Sequence, residues 1–188
     1  MGKLIYSMSI SLDGFVESTS RSLDWVQVDE ELHTFFNDQS REISASLYGR
    51  RMYELMFGYW PTAGADPAAT PAEVEFAGIW NRIPRIVFST TLDQVDPGSR
   101  LVRSDAAEEV AHLKAQPGDM DVGGPTLAST LMRAGLIDEY RLVLHPMILG
   151  AGTPFFAAMD TRIPLRLLET HTFSSGVVYL RYEAANGS

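Results

Sequence analysis

The chain has 188 residues, enough to bury a substantial core, and its content of 45% hydrophobic and 21% charged residues is ordinary for a globular protein. The formal charge of −9 argues against a general binder of nucleic acid or of anionic membranes, because either would need a basic surface. The lack of cysteine excludes disulfides, thiolate zinc sites and cysteine nucleophiles, and no apolar run approaches the ~18 residues of a membrane span, so we expect one cytoplasmic domain over residues 1–188.

Strands alternate with helices through the first two thirds of the chain. Residues 3–14 predict a strand that ends at an Asp13–Gly14 turn, and residues 29–39 predict an amphipathic helix with an acidic first turn. The segments that follow predict, in order, a strand (44–49), a helix (50–57), a Pro/Ala/Gly loop (61–71), a helix (72–83), a buried strand (84–92) and a helix (105–116).

The last third is rich in strands. Residues 119–138 predict a strand, a glycine turn and a helix, with Pro125 in the first helical turn and Gly135 just past the end. Three strands follow at 139–150, 165–173 and 176–183, and the last two alternate as in a hairpin. This order indicates an α/β fold whose central sheet is mostly parallel, with antiparallel strands near the C-terminus.

Three strand ends carry groups that can bind an anion. In open α/β sheets ligands bind beyond the carboxyl ends of strands, and these ends are Gly49–Arg51, Ser89–Thr91 and Gly123–Thr126. They offer guanidiniums, hydroxyls and backbone without side chains, each next to an expected helix start or strand end. Together they indicate a dinucleotide, although the two arginines are equally compatible with a solvated helix face. Neither a Gly-x-Gly-x-x-Gly fingerprint nor a Gly-Lys-Ser/Thr phosphate loop is present.

Two known families resemble the chain. The segment "GRRMYE" at 49–54 resembles the Gly-Arg-x-Thr-x-Glu element of dihydrofolate reductases, with Met52 in place of the usual Thr. The segment from Val122 to Gly152 is similar to the reductase domain of bifunctional riboflavin-biosynthesis proteins, and "SMSISLDGFVE" at 7–17 is similar to the first strand and loop of both families. The resemblance implies a dihydrofolate reductase-like three-layer α/β fold with NADPH as the hydride donor.

The resemblance also implies a role for individual residues. Phosphate groups of the cofactor would be held by residues at the three strand ends, and the nicotinamide would lie near the first loop. The residues concerned are Gly49, Arg50 and Arg51 for phosphates, Ser89 and Thr90 for the adenosine 2′-phosphate, Gly123, Gly124, Pro125 and Thr126 for the diphosphate, and Ser9 and Val16 for the nicotinamide.

A catalytic carboxylate is expected at the start of the helix that follows Trp25, because dihydrofolate reductases place one there. Counting from Trp25 favours Glu30, whereas the pattern "ELHTF" favours Glu31, and we expect Asp29 and Glu31 to face the pocket. Acidic residues that merely stabilise a helix N-terminus are an alternative explanation for each of them. The four histidines have no metal-ligand spacing with carboxylates, so no metal is expected.

The sequence therefore predicts an NADPH-dependent reductase of a small pterin- or pyrimidine-like heterocycle. One alternative is the 5-amino-6-(5-phosphoribosylamino)uracil reductase of riboflavin biosynthesis, although an expected Asp-Pro-x-Leu element is replaced by "FGYWPTAG" at 57–64. Another alternative is a nucleotide-binding module without turnover. We expect a homodimer, because the C-terminal strands are apolar and an exposed edge strand tends to be covered.

Overall fold

The computed structural model describes residues 1–185, which form ten strands and six helices. The strands are β1 (Leu4–Ser11), β2 (Phe15–Ser18), β3 (Ile43–Gly49), β4 (Arg85–Phe88), β5 (Ser99–Val102), β6 (Asp119–Gly123), β7 (Glu139–His145), β8 (Gly152–Pro154), β9 (Leu165–Thr172) and β10 (Val178–Ala184). The helices are α1 (Glu30–Arg41), α2 (Arg50–Phe57), α3 (Trp60–Ala63), α4 (Pro71–Arg82), α5 (Ala106–Lys114) and α6 (Pro125–Arg133).

Eight of these strands form the central sheet, in the order β5-β4-β3-β6-β1-β7-β10-β9. The six strands from β5 to β7 run parallel, whereas β10 is antiparallel to both β7 and β9. Strands β2 and β8 pair separately as a small antiparallel ribbon. The α/β architecture with antiparallel C-terminal strands that the sequence predicts is confirmed.

Strand alternation assigns side chains to the two faces of the sheet. In β6, Met120 and Val122 join the core that contains Leu131 of α6, so the intervening Asp121 faces the opposite side. That opposite face packs against α1, where Leu32 contacts a cluster that includes Val143. Helices thus cover both faces of the sheet, as a largely parallel sheet requires.

Helices α1 and α4 begin at residues whose side chains bind backbone amides of the first turn. The Asp29 side chain accepts a hydrogen bond from the Leu32 amide at the start of α1, and Thr70 forms a capping box with Glu73 at the start of α4. Both signals are local in sequence, and the predicted helices lie within two residues of the observed bounds at these starts.

Short elements were less visible in the sequence. The expected loop at 61–71 contains most of α3, and three strands of three or four residues were not expected, namely β2, β5 and β8. Elements this short carry little periodicity. Within residues 1–185, no helix is long and apolar enough to cross a lipid bilayer.

Candidate active site

A first cavity opens at the carboxyl ends of β3, β4 and β6, where α2 and α6 begin. It has a volume of about 510 Å³ and is lined by both helix N-termini. Gly49 and Gly124 are the N-cap residues, and neither cap has a side-chain hydrogen bond within the described residues. Amides of the first turns are therefore free to bind an anion, which the positive end of a helix dipole also favours.

The two consecutive glycines at the start of α6 are required by the geometry. Gly124 has a φ of +97°, in the region that favours glycine. A Cβ on Gly123 would lie 2.9 Å from the ring of Tyr48, which is buried. Only backbone can occupy this wall of the cavity, and a ligand can approach it closely. A Cβ on Gly49, by contrast, would make an ordinary 3.8 Å contact with Leu127.

Arg50 is the exposed arginine at the rim of this cavity. Its Nε donates to Glu54 over 2.8 Å, and its guanidinium donates to the hydroxyl of Thr91 over 3.1 Å. The Thr91 hydroxyl is also 3.3 Å from that of Ser89, so one guanidinium and two hydroxyls form a polar group at the end of β4. Such a group can bind a phosphate through charge-assisted hydrogen bonds.

Arg51 makes a different contact, with Glu17 of β2. Its guanidinium lies 2.5 and 2.6 Å from the two carboxylate oxygens, and Thr153 of β8 donates to the same carboxylate over 2.7 Å. The hydrogen bond from Arg51 lowers the pKa of Glu17, and the same contact raises the pKa of Arg51. Arg51 therefore ties α2 to the β2–β8 ribbon over the cavity. Arg21, which the sequence did not single out, is the third arginine in the lining.

Most of the predicted cofactor residues line the cavities, but two do not. The first cavity includes Val16, Gly49, Arg50, Arg51, Gly123, Gly124, Pro125 and Thr126, and a second cavity includes Ser9 together with Val16 and Gly123. Ser89 and Thr90 line neither cavity. The Ser89 hydroxyl instead accepts the amides of Thr91 and Leu92 in the turn after β4, and Thr91 is the residue that contacts Arg50.

The second cavity lies between the sheet and helices α1 and α2. Its volume is about 520 Å³, and its walls are mainly apolar, with Phe35 and Phe36 from α1 opposite Val143 of β7. The two cavities share six lining residues, so they meet at a common wall composed of Met8, Val16, Leu23, Met52, Leu55 and Gly123. Met52, which replaces the threonine of the dihydrofolate reductase pattern, stands at this junction.

Asp121 is the carboxyl group in the lining of the second cavity. Its Oδ1 atom is buried and has no hydrogen-bond partner among residues 1–185, while the rest of the side chain keeps partial exposure. Burial raises the pKa of Asp121 to about 6, opposed mainly by a hydrogen bond with Ser46. The sequence did not single out Asp121. The alternation Asp119–Met120–Asp121–Val122 was the available signal, because it turns every second residue away from the core.

Arg141 is the arginine of the second cavity, and it is engaged with other residues. It donates to Glu139 over 2.7 Å and to the amide oxygen of Gln39. Burial opposes ionisation of Glu139, but hydrogen bonds from Arg181 and Arg141 hold its pKa below the usual value, so the carboxylate remains charged. The guanidinium of Arg141 therefore already has two acceptors before any ligand enters, and it shares the charge of Glu139 with Lys3 and Arg181.

The acidic residues that the sequence favoured lie away from both cavities. Asp29 caps α1 through the Leu32 amide, and Glu31 accepts hydrogen bonds from the amide and the hydroxyl of Ser174. The hydrogen bonds from Ser174 also lower the pKa of Glu31, which makes this residue a poor proton donor near neutrality. Glu30 is exposed. The expectation that Asp29 and Glu31 face the pocket is therefore corrected, because capping and a loop contact occupy their oxygens.

Residues 1–185 contain no group of three or more His, Cys, Asp or Glu side chains that could hold a metal ion. The four histidines are spread over separate elements. His33 lies on α1, His112 on α5, His145 at the end of β7 and His171 on β9.

Comparison with known proteins identifies the family. A family model described as the RibD C-terminal domain matches residues 2–179. The protein YyaP of Bacillus subtilis (strain 168) is 36% identical over 183 residues, which cover 96% of this chain and 94% of YyaP.

Solved structures show the same fold. A protein of Shewanella sp. PV-4, whose name refers to riboflavin biosynthesis, superposes with a TM-score of 0.77 at 19% identity over 99% of this chain and 100% of its own. Dihydrofolate reductase of Enterococcus faecalis, solved with NADP(H), gives a TM-score of 0.64 at 18% identity and 98% coverage of both chains. A deaminase/5-amino-6-(5-phosphoribosylamino)uracil reductase of Thermotoga maritima gives 0.67 at 14% identity, and the match spans 98% of this chain and 57% of that one. The dihydrofolate reductase-like fold expected from the sequence is confirmed.

Proposed function

The chain belongs to the RibD C-terminal domain family, and on that premise we propose that it is an NADPH-dependent reductase that transfers a hydride to a small heterocyclic substrate. The observation that carries the proposal is the pair of adjoining cavities at one edge of the sheet. One has the groups that bind phosphates, and the other has the apolar walls that accept a flat ring. Their common wall is where a hydride donor and an acceptor can meet.

The first cavity fits a dinucleotide in three respects. The glycine wall at Gly123–Gly124 leaves space that a Cβ would fill, the first turns of α2 and α6 offer amides, and Arg50 with Thr91 provides a cationic rim. The dihydrofolate reductase of similar fold was solved with NADP(H), which supports the same cofactor here. When bound, NADPH supplies the hydride for reduction of the acceptor carbon.

The residues of this chain would position the reactants and exclude water. Arg50 and the two helix starts hold the cofactor phosphates, while Met52 and Val16 enclose the junction of the cavities. The phenylalanines of α1 hold the acceptor ring against the sheet. Fixing both reactants in one orientation accounts for a large part of such catalysis.

Two alternatives are distinguished by turnover. The Thermotoga maritima protein is named as a reductase of a pyrimidine that carries a ribose phosphate, and that activity is the first alternative. A nucleotide-binding module without turnover is the second. We expect NADPH oxidation with at least one member of a panel of pterins and aminopyrimidines. NADPH binding without oxidation of NADPH by any of them would favour the module.

Cofactor selectivity provides a sharper test. NADPH carries one more phosphate than NADH, so Arg50→Ala should weaken NADPH by about tenfold or more and NADH far less, since a charge-assisted hydrogen bond is worth ~1.5–3 kcal/mol. Arg51→Ala should instead lower stability, because Glu17, which is 6% exposed, would keep the hydrogen bond from Thr153 but lose its charged partner. Fluorescence titration at low salt measures both affinities, and a thermal melt measures stability.

Arg100→Ala is the matched control for this experiment. Arg100 is an exposed arginine paired with Glu109, and its side chain is 52% exposed compared with 50% for Arg50. It lines neither of the two cavities. The control variant should bind both cofactors as the wild type does. Equal losses of NADPH and NADH in Arg50→Ala would assign Arg50 to the shared diphosphate and contradict the selectivity proposal.

A homodimer remains part of the proposal. Strand β9 is an edge strand of the central sheet, and two of its apolar side chains, Leu165 and Leu167, are 37% and 49% exposed. Exposed edges of this kind are usually covered. We expect sedimentation at micromolar concentration to give the mass of a dimer, and Leu167→Lys to shift the distribution to monomer. A wild-type monomer would contradict the proposal.

A further inference from the structure

Two polar groups in the second cavity have no hydrogen-bond partner within residues 1–185. One is Oδ1 of Asp121 on β6, and the other is the hydroxyl of Tyr179 on β10, a residue that is 1% exposed. Both residues line the cavity, between apolar walls. Buried polar atoms in proteins nearly always have a partner, so groups that lack one in a cavity indicate a ligand that provides it.

The charges around the second cavity indicate what kind of ligand this is. Arg141 is the cationic residue in the lining, and Glu139 and Gln39 already accept its hydrogen bonds. The first cavity has three arginines in its lining, of which Arg50 lies at the open rim. A phosphate would find a cation in the first cavity, whereas in the second it would meet Asp121 and a guanidinium that is already paired.

Within the proposed reductase function, we infer that Asp121 is the carboxyl group that binds the substrate, and that the substrate is an unphosphorylated heterocycle with an N–H edge facing Asp121. Tyr179 donates to a second polar atom of the same ring system, and the phenylalanines of α1 pack on its face. A cavity of about 520 Å³ is large enough for a bicyclic ring. The inference rests on the proposed function and assigns the substrate class of that site.

The protonation of Asp121 agrees with this role. The groups that face it are Ser46 and Tyr48 from β3 and Arg141 from β7. Burial raises the pKa of Asp121 to about 6 despite the hydrogen bond of Ser46 and the charge of Arg141. At neutral pH the carboxyl group is mostly ionised and accepts N–H donors. It is also close enough to its pKa to take up a proton from solvent during turnover.

The test uses three pteridines added to NADPH-saturated protein. The first, 2,4-diamino-6-(hydroxymethyl)pteridine, presents an amino donor to a carboxylate, beside a ring nitrogen that becomes a second N–H donor when it is protonated. The second is its phosphate monoester, and the third is the corresponding 2,4-dione, in which carbonyl oxygens replace both amino donors. At pH 7.5 the wild type should bind the diamino compound at least about tenfold more tightly than either of the others, since hydrogen bonds to charged groups are worth ~1.5–3 kcal/mol.

Three variants assign this preference to a residue. Asp121→Asn keeps the size of the side chain and should abolish the preference for the diamino compound over the dione. Tyr179→Phe should weaken all three probes. Asp38→Asn, on the exposed side of α1, is the control and should behave as the wild type. A purely structural role of Asp121 would lower all affinities together and leave their ratio unchanged.

The outcomes separate this inference from the proposed function. Wild-type protein that fails to bind NADPH would count against the proposed function itself. If Asp121→Asn bound NADPH normally and kept the wild-type ratio of affinities for the diamino compound and the dione, the inference alone would be overturned. The inference would also be overturned if Glu31→Gln, and not Asp121→Asn, lost the preference for the diamino compound over the dione. Binding of the substrate would then be assigned to a carboxylate of α1. Tighter binding of the phosphate monoester would overturn the unphosphorylated substrate class.

Discussion

The two cavities share a wall but are built in different ways. The first is lined at strand ends and helix starts, with three arginines and exposed backbone. The second is lined by side chains of five strands of the central sheet, of the ribbon strand β2 and of three helices. These side chains are mostly apolar, and the lining includes buried polar atoms that lack partners within residues 1–185. In the proposed function, the first cavity would therefore recognise charge at its rim, whereas the second would recognise shape and a few hydrogen-bonding groups.

This difference affects how each cavity responds to mutation. A site made of backbone is sensitive to any added side chain, because nothing can move aside without moving the helix. A site made of a buried carboxylate is sensitive to removal of charge, because burial already disfavours the charged form. The first cavity is therefore tested by adding a side chain to a glycine, and the second by removing the charge of Asp121.

The largest effect is expected from Gly124→Ala in the first cavity. A Cβ there would lie 3.3 Å from Cβ of Met52, at a φ of +97°. NADPH affinity should fall by about 100-fold or more, since close backbone approach to the ligand is lost, and strain should lower the free energy of unfolding by ~1–2 kcal/mol. Cofactor titration and thermal melting measure the two effects.

Gly135→Ala separates the effect of backbone strain from the effect of a side chain that blocks the cofactor. Gly135 has a φ of +67° just after α6, and an added Cβ would have no neighbour within 4 Å among the residues described. This variant should lose stability to a similar degree and keep the affinity of the wild type for NADPH. If both variants kept that affinity, the glycine wall would not be a cofactor site.

The opposite effect on stability, an increase in the free energy of unfolding, is expected from Asp121→Asn in the second cavity. Burial raises the pKa of Asp121 from 3.8 to about 6, so the folded state binds the proton more tightly than the unfolded state. The contribution of this group to stability is complete below pH ~4, falls as the pH rises through about 6 and is lost above pH ~7. Asp121→Asn should therefore exceed the wild type in free energy of unfolding by ~1–2 kcal/mol at pH 8.

The pH dependence is the discriminating measurement for this variant. Denaturant unfolding at pH 8 and at pH 4.5, without ligand, should give a gap between variant and wild type that narrows at the lower pH. A variant less stable than the wild type at pH 8 would mean that the carboxylate is well solvated or paired. The binding role inferred for Asp121 would then lose its physical basis.

The sequence by itself determined the longer helices and strands and indicated many of the residues that line the first cavity. The glycines, the arginines and Pro125 stand at strand ends, where helix starts and turns obey rules that act over a few residues. Of the nine residues that the sequence placed at strand ends for binding phosphates, seven line this cavity. The other two, Ser89 and Thr90, directly precede Thr91, which makes the contact with Arg50. Even there, tertiary contacts decided that Arg51 binds Glu17, because β2 is distant in sequence.

Only the tertiary structure decided the second cavity. Its walls come from six strands and three helices, whose side chains meet across long sequence separations, namely β1, β2, β3, β6, β7, β10, α1, α2 and α4. The acidic cluster at the start of α1 was conspicuous in the sequence, but a cap and Ser174 occupy Asp29 and Glu31. Asp121 was inconspicuous, and its burial depends on the helix that covers that face of the sheet. Burial and the lack of a hydrogen-bond partner are properties of the packed molecule, so no local pattern could have determined them.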